Sequence, residues 1–352
     1  MGKDGKLKDA RVMVVGCGAL GNEVLKNLAL CGVGHLTCVD FDRVEESNLP
    51  KSVLFRNADA SRGRAKVEVV KERLRELAPD IDVTVICADI TADVGLGYIR
   101  DSDVVVSCVD SRWARFIINR HCNRLSKPWV DGGISLNEGT ARVFIPGRNC
   151  YACSLGSREM TELRKRISCP NLVRLPFSAA SAPTNVITAS IAGAVQAQEA
   201  IKLICGGNTL DGKMFHFDSQ APSCGIASFP AYDTECPEHE KWAPIERTAL
   251  TNSASVGKLL SEAGDGSALM LREDCFVDFL SARDNAERKR AMVPSRRIPD
   301  EYAGGGYYQN EFRIVDGSFP YPELSLEDIG IPERDIIRVM YGQDVRYLEL
   351  AS

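Results

Sequence analysis

Three glycines and one acidic residue near the start of the chain have the spacing of a nucleotide-binding site. Gly16, Gly18 and Gly21 lie within G-C-G-A-L-G, and Asp40 follows Gly21 by nineteen residues. Glycines are needed in such a loop because a Cβ would keep phosphate away from the backbone N–H groups at a helix N-terminus. A carboxylate at the position of Asp40 can bind ribose hydroxyls. The pattern predicts a nucleotide site, and by itself it fits an NAD-dependent dehydrogenase, an FAD enzyme or an ATP enzyme.

The charged residues that follow favour nucleotidyl transfer over hydride transfer. Asp42 lies two residues after Asp40, Asn48 lies in S-N-L, Lys66 opens a predicted helix, and Asp110 closes V-V-V-S-C-V-D. A triphosphate that carries Mg²⁺ must be held by a cationic side chain on one side and a carboxylate on the other while a carboxylate nucleophile attacks its α-phosphate. Because a dehydrogenase does not need this set, we expect an ATP-dependent transferase.

Alternating strands and helices must position these residues. The runs from Arg11 to Val15 and from His35 to Val39 are typical of strands, and the residues from Asn22 to Leu30 repeat apolar side chains at helical spacing. A later run from Val186 to Cys205 is rich in small residues and is followed by two glycines, which end helices. The pattern predicts an α/β fold with a doubly wound, mostly parallel sheet that binds the nucleotide at the carboxyl ends of its strands.

Two short cysteine motifs outside the periodic segments predict a structural zinc site. Cys150 and Cys153 form one C-x-x-C pair, and Cys236 and His239 form a C-x-x-H pair. Three thiolates and one imidazole are a common tetrahedral ligand set for Zn²⁺. Cys224 is an alternative ligand that the spacing leaves open.

Composition agrees with a soluble enzyme of two domains. The chain has 352 residues, of which 44% are hydrophobic, and its net charge is −5 without a basic block. These values argue against nucleic acid and anionic membranes as partners. The sequence shows no secretory or membrane-spanning run, so we expect a cytoplasmic protein with reduced thiols. Several of its thirteen cysteines are expected to be small buried hydrophobes: Cys31, Cys38, Cys87 and Cys108.

Four segments occur in a diagnostic order: G-C-G-A-L-G, D-F-D-R-V-E-E-S-N-L, C-V-D-S-R-W-A-R and A-S-I-A-G-A-V-Q-A-Q-E-A-I-K. From about Leu7 to Lys241 the chain resembles the ubiquitin-activating (E1) enzymes and the bacterial relatives that adenylate sulfur-carrier proteins in thiamine and molybdopterin synthesis. The resemblance implies that Asp40 binds ribose and that Asp110 binds Mg²⁺. It also places a zinc site at the two cysteine motifs. The implied ATP ligands are Gly16, Gly18, Ala19, Leu20, Gly21, Asp40, Asp42, Asn48, Lys51, Lys66 and Asp110, of which Lys66 and Asp110 also carry catalysis.

The chain departs from the family pattern in two places. Lys51 stands where the family usually has arginine, and lysine keeps the charge but lacks the bidentate fork. The family also commonly has an arginine upstream of the first strand that reaches ATP in the partner subunit, and none precedes Arg11 here. Either the sequence is trimmed, or a second protein supplies this group, or catalysis proceeds without it.

One cysteine between the first zinc motif and the small-residue helix is a candidate nucleophile. In E1-like enzymes this crossover segment, here residues 154–185, can carry the cysteine that receives the modifier as a thioester, and Cys169 is the cysteine within it. Arg164, Lys165 and Arg166 precede it closely, and nearby positive charge lowers a thiol pKa. An unreactive surface thiol is the alternative, because Pro170 follows where ubiquitin-type E1 enzymes more often have threonine.

The sequence pattern changes near residue 244, which indicates a domain boundary. Residues 1–243 form the expected adenylation domain, and residues 244–352 form a smaller α+β domain. A hairpin is predicted from Ile336–Tyr341 and Val345–Leu350 around Gly342-Gln343-Asp344. The position of this domain resembles that of the ubiquitin-like domain with which E1 enzymes recruit a conjugating (E2) enzyme, and a stabilising or oligomerising appendage is the alternative.

The resemblance implies ATP-dependent adenylation of the C-terminal carboxylate of a ubiquitin-like protein, then a thioester at Cys169 and transfer to an E2-like enzyme. ATP, Mg²⁺ and structural Zn²⁺ are the expected cofactors. A homodimer, or a heterodimer with an inactive copy, is the expected assembly. The alternatives are a sulfur-carrier adenylyltransferase, a catalytically degenerate partner subunit, and an enzyme that activates a free amino acid or a peptide carboxylate.

Overall fold

A computed structural model describes residues 4–168, 184–221, 223–229, 232–280, 293–294 and 307–352. These residues form two compact units. The first contains the chain up to Thr91, Tyr98–Ser157 and the described residues from 184 to Lys241. The second contains Ala92–Gly97, the described residues from Arg158 to Ser168, and the described residues from Trp242 onward.

Helices and strands alternate through the first unit. The helices of the described chain are α1 (Asp4–Asp9), α2 (Ala19–Leu30), α3 (Asn57–Ser61), α4 (Lys66–Leu77), α5 (Leu96–Asp101), α6 (Arg112–Arg124), α7 (Ser157–Ser168), α8 (Val186–Cys205) and α9 (Val256–Ala263). Short 3₁₀ turns cover Glu46–Lys51, Ala152–Ser154 and Pro237–His239.

The strands divide between two sheets, one in each unit. They are β1 (Arg11–Val15), β2 (His35–Val39), β3 (Asp82–Ile86), β4 (Val104–Ser107), β5 (Trp129–Ile134), β6 (Glu138–Phe144), β7 (Lys213–Asp218), β8 (Ser223–Ser228), β9 (Ile245–Arg247), β10 (Ser267–Leu280), β11 (Val293–Pro294), β12 (Tyr307–Val315), β13 (Ile336–Tyr341) and β14 (Asp344–Glu349).

The sheet of the first unit is doubly wound, as the sequence predicts. Its strand order is β3-β2-β1-β4-β5-β6-β7-β8. Strands β1 to β5 pair in parallel, and β6, β7 and β8 extend the sheet by antiparallel pairing. The chain runs outward from β1 to β2 and β3 and then returns to β4 on the other side of β1. In open α/β sheets such a reversal leaves a crevice at the carboxyl ends of the two central strands, where ligands bind.

Small residues let α8 lie against both the sheet and α2. A Cβ on Gly193 would lie 2.8 Å from the Cβ of Glu23 on α2, so a larger residue would push the two helices apart. The helix begins after Asn185, whose side chain accepts a hydrogen bond from the Thr188 N–H, and it ends at Gly206, which has a φ of 74°. The predicted bounds of this helix are therefore confirmed at both ends.

The second unit has its own core and a mixed sheet. Its strand order is β11-β10-β13-β14-β9, and β12 also pairs with β10. Strands β13 and β14 form the predicted hairpin, and β14 pairs in parallel with β9. Leu269, Leu326 and Val339 are among the side chains that fill this core.

Residues Ala92–Gly97 belong to the second unit because the backbone packs closely there. A Cβ on Gly95 would lie 2.0 Å from the Glu333 carbonyl oxygen. The Leu96 N–H donates to buried Asp335, whose carboxylate lies 3.1 Å from Arg272 Nη2.

Two of the cysteines expected to be buried are exposed. Cys38 lies inside β2 and is buried, and Cys108 is half-buried, whereas Cys31 and Cys87 are exposed. Cys31 caps the C-terminus of α2, and Cys87 follows the last residue of β3. Both side chains therefore lie just past the apolar segment that suggested burial. Among the described helices, none is both long and apolar enough to cross a bilayer.

Candidate active site and zinc cluster

The glycine loop joins β1 to α2 and leaves the N-terminus of the helix open. Gly16 has a φ of 94°, which favours glycine, and a Cβ on Gly21 would lie 1.9 Å from the Gly16 carbonyl oxygen. Gly18 occupies the N-cap position, where no side chain caps the helix, and a Cβ built there meets nothing within 4 Å. Ala19 and Leu20 begin the helix. Free N–H groups at such an end attract anions, including phosphate.

Asp40 follows the last residue of β2 and contacts the glycine loop. Its carboxylate accepts hydrogen bonds from the Cys17 N–H at 2.7 Å and from the Asp42 N–H at 2.8 Å. Burial raises the pKa of this carboxyl above its ordinary value, although Lys66 and the two N–H donors oppose the shift. The carboxylate thus lies beside the glycine loop, at the end of β2.

Lys66 brings a buried positive charge to the same place. Only 7% of the residue is exposed, and its Nζ lies 2.7 Å from Asp42 Oδ2. Burial lowers the pKa of this amine, but Asp40 and Asp42 outweigh burial, so the net shift is upward. Lys66 is therefore a fixed cation next to two carboxylates.

Asn48 and Lys51 lie on the 3₁₀ turn Glu46–Lys51. Asn48 Oδ1 accepts a hydrogen bond from the Glu45 N–H at 3.0 Å, which orients the side chain and leaves its NH₂ group available. Asn48 and Lys51 are both half-buried.

Asp110 lies at the carboxyl end of β4, next to the glycine loop. A Cβ on Gly16 would lie 2.6 Å from the Cys108 carbonyl oxygen, which shows that the glycine loop and the segment after β4 are in close contact. Asp110 is exposed, and the next residue, Ser111, caps α6 by accepting a hydrogen bond from the Ala114 N–H at 3.3 Å. The structure thus places the glycines, Asp40 and Asp110 at the crevice where the strand order reverses, and Asp42 ties Lys66 to Asp40.

Two buried polar residues that support this site, Asn22 and Gln196, were not predicted from the sequence. Asn22, in the first turns of α2, donates to the Cys17 and Gly18 carbonyl oxygens and accepts from the Leu54 N–H. Gln196 of α8 donates to the Ser107 carbonyl oxygen at 2.9 Å. A polar residue within an otherwise apolar helix face was the signal that could have identified both.

The two cysteine motifs meet in one cluster, as the zinc prediction requires. The ligand atoms of Cys150, Cys153, Cys236 and His239 all lie within 4.8 Å of one another. Neighbouring separations are 3.6 Å for Cys150 Sγ–Cys153 Sγ, 3.9 Å for Cys150 Sγ–Cys236 Sγ and 3.3 Å for Cys153 Sγ–His239 Nε2. A tetrahedral zinc ion with Zn–S bonds of about 2.3 Å separates its sulfurs by roughly 3.8 Å. The donor set and its spacing therefore fit Zn²⁺.

The charge state of this cluster is also compatible with a metal. Burial lowers the pKa of His239, which favours the neutral imidazole that a metal ligand requires. Burial raises the pKa of Cys150 and Cys236, so binding of a metal ion by their thiolates would release protons. Cys224 is exposed on β8 and lies outside the cluster.

Helix α6 holds the second cysteine motif in place. Arg120 makes a bidentate pair with Glu238, at 2.7 Å from Nε and 2.8 Å from Nη2, and Asn123 donates to the Glu238 carbonyl oxygen. Arg124 donates to Glu240 at 2.9 Å. The cluster is thus anchored to the helix that begins beside Asp110.

Cys169 lies outside the described residues, as do residues 169–183 of the proposed crossover segment 154–185. Its predicted role as a nucleophile stays a prediction.

The sequence pattern of the ThiF family matches residues 1–238. The chain belongs to the ThiF family. The E1-like resemblance and the α/β fold expected from the sequence are both confirmed, and the family is one of E1-like adenylyltransferases.

The relatives of this ThiF-family chain are named either as an E1 activating enzyme or as an adenylyltransferase. The SAMP-activating enzyme E1 of Haloferax volcanii is 33% identical over 216 residues, which cover 61% of this chain and 75% of the relative. The molybdopterin-synthase adenylyltransferase of Salmonella typhimurium is 33% identical over 219 residues, which cover 60% of this chain and 80% of the relative. Among solved structures, E. coli MccB with succinimide matches with a TM-score of 0.57 and 25% identity, over 67% of this chain and 68% of that one.

Proposed function

We propose that the chain uses ATP to adenylate the C-terminal carboxylate of a small protein with a ubiquitin-like fold. The observation that carries the proposal is the arrangement of an open helix N-terminus, a buried lysine and three carboxylates at one crevice. In this reaction the substrate carboxylate attacks the α-phosphate, a bond forms between the carboxylate oxygen and phosphorus, and pyrophosphate leaves.

Each part of the crevice has a role in the proposal. The α2 N-terminus, with Gly16, Gly18, Ala19, Leu20 and Gly21, would receive phosphate oxygens, and Asp40 would accept hydrogen bonds from the ribose hydroxyls. Lys66, Lys51 and the free amide of Asn48 would neutralise or bind the phosphates. Asp42 would keep Lys66 in place through its 2.7 Å contact.

Asp110 is the proposed Mg²⁺ ligand. Its carboxylate is exposed at the carboxyl end of β4, within the crevice, and carboxylate oxygens are the donors that Mg²⁺ prefers. When bound, Mg²⁺ would offset the negative charge that builds up on the phosphates.

The relatives support a small protein as the substrate and do not separate conjugation from sulfur transfer. One is named as a SAMP-activating enzyme and the other as a molybdopterin-synthase adenylyltransferase, at equal identity. Adenylation is the step that the two functions share, so both follow from the same crevice. A solved structure of MccB with MccA-N7isoASN, at 26% identity, makes a peptide carboxylate the third possibility to test.

A thioester step followed by transfer to an E2-like enzyme is the second candidate function. The observation in its favour is that the second compact unit consists largely of residues from Trp242 onward, which lie beyond the family match at residues 1–238. We propose that residues 244–352 recruit the E2-like partner and that Cys169 receives the modifier, with the thiolate displacing AMP from the acyl-adenylate.

We also propose that two adenylation domains associate, as a homodimer or with a second chain. In the second case the different chain would supply the arginine that the family places upstream of the first strand, because residues 1–10 of this sequence contain none. The same association can be measured by sedimentation with and without the candidate modifier.

ATP/pyrophosphate exchange tests the adenylation proposal. Exchange should require a candidate modifier whose C-terminal residues are intact and should be lost on their deletion. Exchange with a short peptide alone would instead identify a peptide substrate, and no exchange with any carboxylate would support a degenerate partner subunit.

A non-reducing gel then separates the two candidate functions. A modifier adduct that thiol reagents remove, and that Cys169→Ala abolishes, would support conjugation. Exchange without an adduct, together with thiocarboxylate formation when a sulfurtransferase is added, would support the sulfur-carrier function. Cys224→Ala is the matched control because Cys224 is an exposed thiol outside the Cys/His cluster.

A further inference from the structure

Three charged residues meet under the loop that carries Asp110. Arg115 of α6 donates from Nε to Asp131 Oδ1 at 3.0 Å, and Arg142 of β6 pairs with the other oxygen of the same carboxylate. Asp131 lies on β5 and has no exposed surface, while the side chains of Arg115 and Arg142 are 14% and 18% exposed. We name Arg115, Asp131 and Arg142 the arginine bracket.

Arg115 uses its fork to join this bracket to the backbone. Its Nη2 donates to the Val109 carbonyl oxygen at 2.7 Å and to the Gly132 carbonyl oxygen at 3.0 Å. The Val109 carbonyl belongs to the peptide bond that leads into Asp110. A lysine cannot make these three bonds from one position, because its ammonium lacks the planar fork.

Backbone and capping hydrogen bonds hold the loop around Asp110 at both ends. Among the described residues, no hydrogen bond to the Asp110 side chain itself contributes. On one side the Cys108 N–H donates to the Val15 carbonyl oxygen at 2.7 Å, and on the other Ser111 caps α6. Between these points, Arg115 supplies the bond to the Val109 carbonyl. The direction of the Asp110 carboxylate therefore depends on the bracket.

Stability alone is a poor explanation for such an arrangement. Removing charges from water costs several kcal/mol per ion, and buried ion pairs can often be replaced by apolar residues without loss of stability. The bracket also places two cations around one carboxylate, which is not the neutral balance that burial favours. The desolvation cost of these buried charges is explained if they fix the geometry of a reacting group.

We propose that Arg115 is a positioning residue for Asp110, with Asp131 as its anchor. The inference rests on the proposed function in one respect, namely that Asp110 binds Mg²⁺. Mutation of a residue that hydrogen-bonds to a metal ligand and orients it typically weakens metal binding by about 10- to 100-fold. Arg115→Lys should weaken Mg²⁺ binding to the ATP complex by this amount and leave the binding of ATP in EDTA unchanged.

The first measurement uses the protein without nucleotide or metal. Hydrogen exchange of the peptide that covers residues 107–112 should be at least about tenfold faster in Arg115→Lys than in the wild type. Without the charged donor to the Val109 carbonyl oxygen the loop opens more often, and the Cys108 N–H then leaves the Val15 carbonyl oxygen and exchanges. Arg124→Lys is the matched control, since Arg124 lies on the same helix and pairs with Glu240 at the far end. Its exchange in residues 107–112 should match the wild type.

The second measurement is ATP binding by the full chain at increasing Mg²⁺ concentration, measured by calorimetry without any modifier. The proposal is overturned if Arg115→Lys and Arg124→Lys require the same Mg²⁺ concentration, or if Arg115→Lys weakens ATP equally with Mg²⁺ and with EDTA. If Arg115→Lys does not fold, Asp131→Asn carries the same test, because it keeps both arginines and removes the negative charge and one of the two acceptor oxygens that hold them. A wild type that binds no Mg²⁺-ATP would refute the proposed function instead, and the hydrogen-exchange result would still decide whether Arg115 orders the loop.

Discussion

Replacing Asn22 by alanine should loosen the glycine loop by an amount that can be worked out from the structure. The Asn22 side chain has no exposed surface. It donates to the Cys17 carbonyl oxygen at 2.7 Å and to the Gly18 carbonyl oxygen at 3.0 Å, and it accepts from the Leu54 N–H at 2.8 Å. One side chain therefore connects the loop to the segment that follows the 3₁₀ turn Glu46–Lys51.

Not all three partners are lost in the variant. The Gly18 carbonyl keeps the Asn22 N–H as a donor at 2.8 Å. Within the described residues, the structure gives the Cys17 carbonyl and the Leu54 N–H no second partner. Each buried group left without a partner costs about 1 to 3 kcal/mol, so Asn22→Ala should lower the free energy of unfolding by about 2 to 6 kcal/mol.

Urea unfolding and amide exchange measure the two parts of this prediction. Asn27→Ala is the matched control because Asn27 is half-buried on the same helix, and it should change the free energy of unfolding by about 0.5 kcal/mol or less. The Leu54 amide should exchange about 5- to 150-fold faster in Asn22→Ala, which is the same 1 to 3 kcal/mol expressed as a ratio. Equal stability of the two variants, with a Leu54 amide that stays protected, would refute this account of the loop.

Three further predictions concern the crevice and the zinc cluster. Because burial raises the pKa of Asp40, ATP affinity should fall as the pH drops through a value above that of an ordinary aspartate, and calorimetry across pH should show no such fall in Asp40→Asn. Gly21→Ala should abolish ATP binding, since its Cβ would lie 1.9 Å from the Gly16 carbonyl oxygen; binding within about twofold of the wild type would contradict the loop geometry. Cys236→Ser should reduce bound zinc measured by atomic absorption from one equivalent to a small fraction, while Cys224→Ser, outside the cluster, should keep the full equivalent.

The elements of the first unit were predictable where local patterns decide the structure. Helix α8 was predicted at both ends because small residues fill it and Gly206 ends it in the left-handed region. The strand–loop–helix at the glycines was predictable because Gly16 and Gly21 leave few other conformations. The predicted helix from Asn22 was short by one turn, since the loop itself supplies the residues from Ala19.

The candidate site was predictable only in part, because several of its contacts are long-range. The spacing of the cysteine motifs identified the four residues of the Cys/His cluster, but the exclusion of Cys224 required the β7–β8 hairpin, which pairs it with Phe217 at the exposed edge of the sheet. The pairing of Arg115 with Asp131 joins a helix to a strand that follows it, and no periodicity marks it. Burial of Cys31 was expected wrongly because it lies one residue beyond the end of α2.

In the proposed reaction a substrate carboxylate attacks the α-phosphate of ATP in the crevice that contains Lys66 and Asp110. The most direct measurement incubates the chain and a candidate ubiquitin-like modifier with ATP labelled at either the α- or the γ-phosphate, and follows acid-stable transfer of label to the modifier. We expect that α-label and not γ-label reaches the modifier, and that Asp110→Ala abolishes transfer without altering the melting temperature. Transfer of γ-label, or full transfer of α-label in Asp110→Ala, would contradict it.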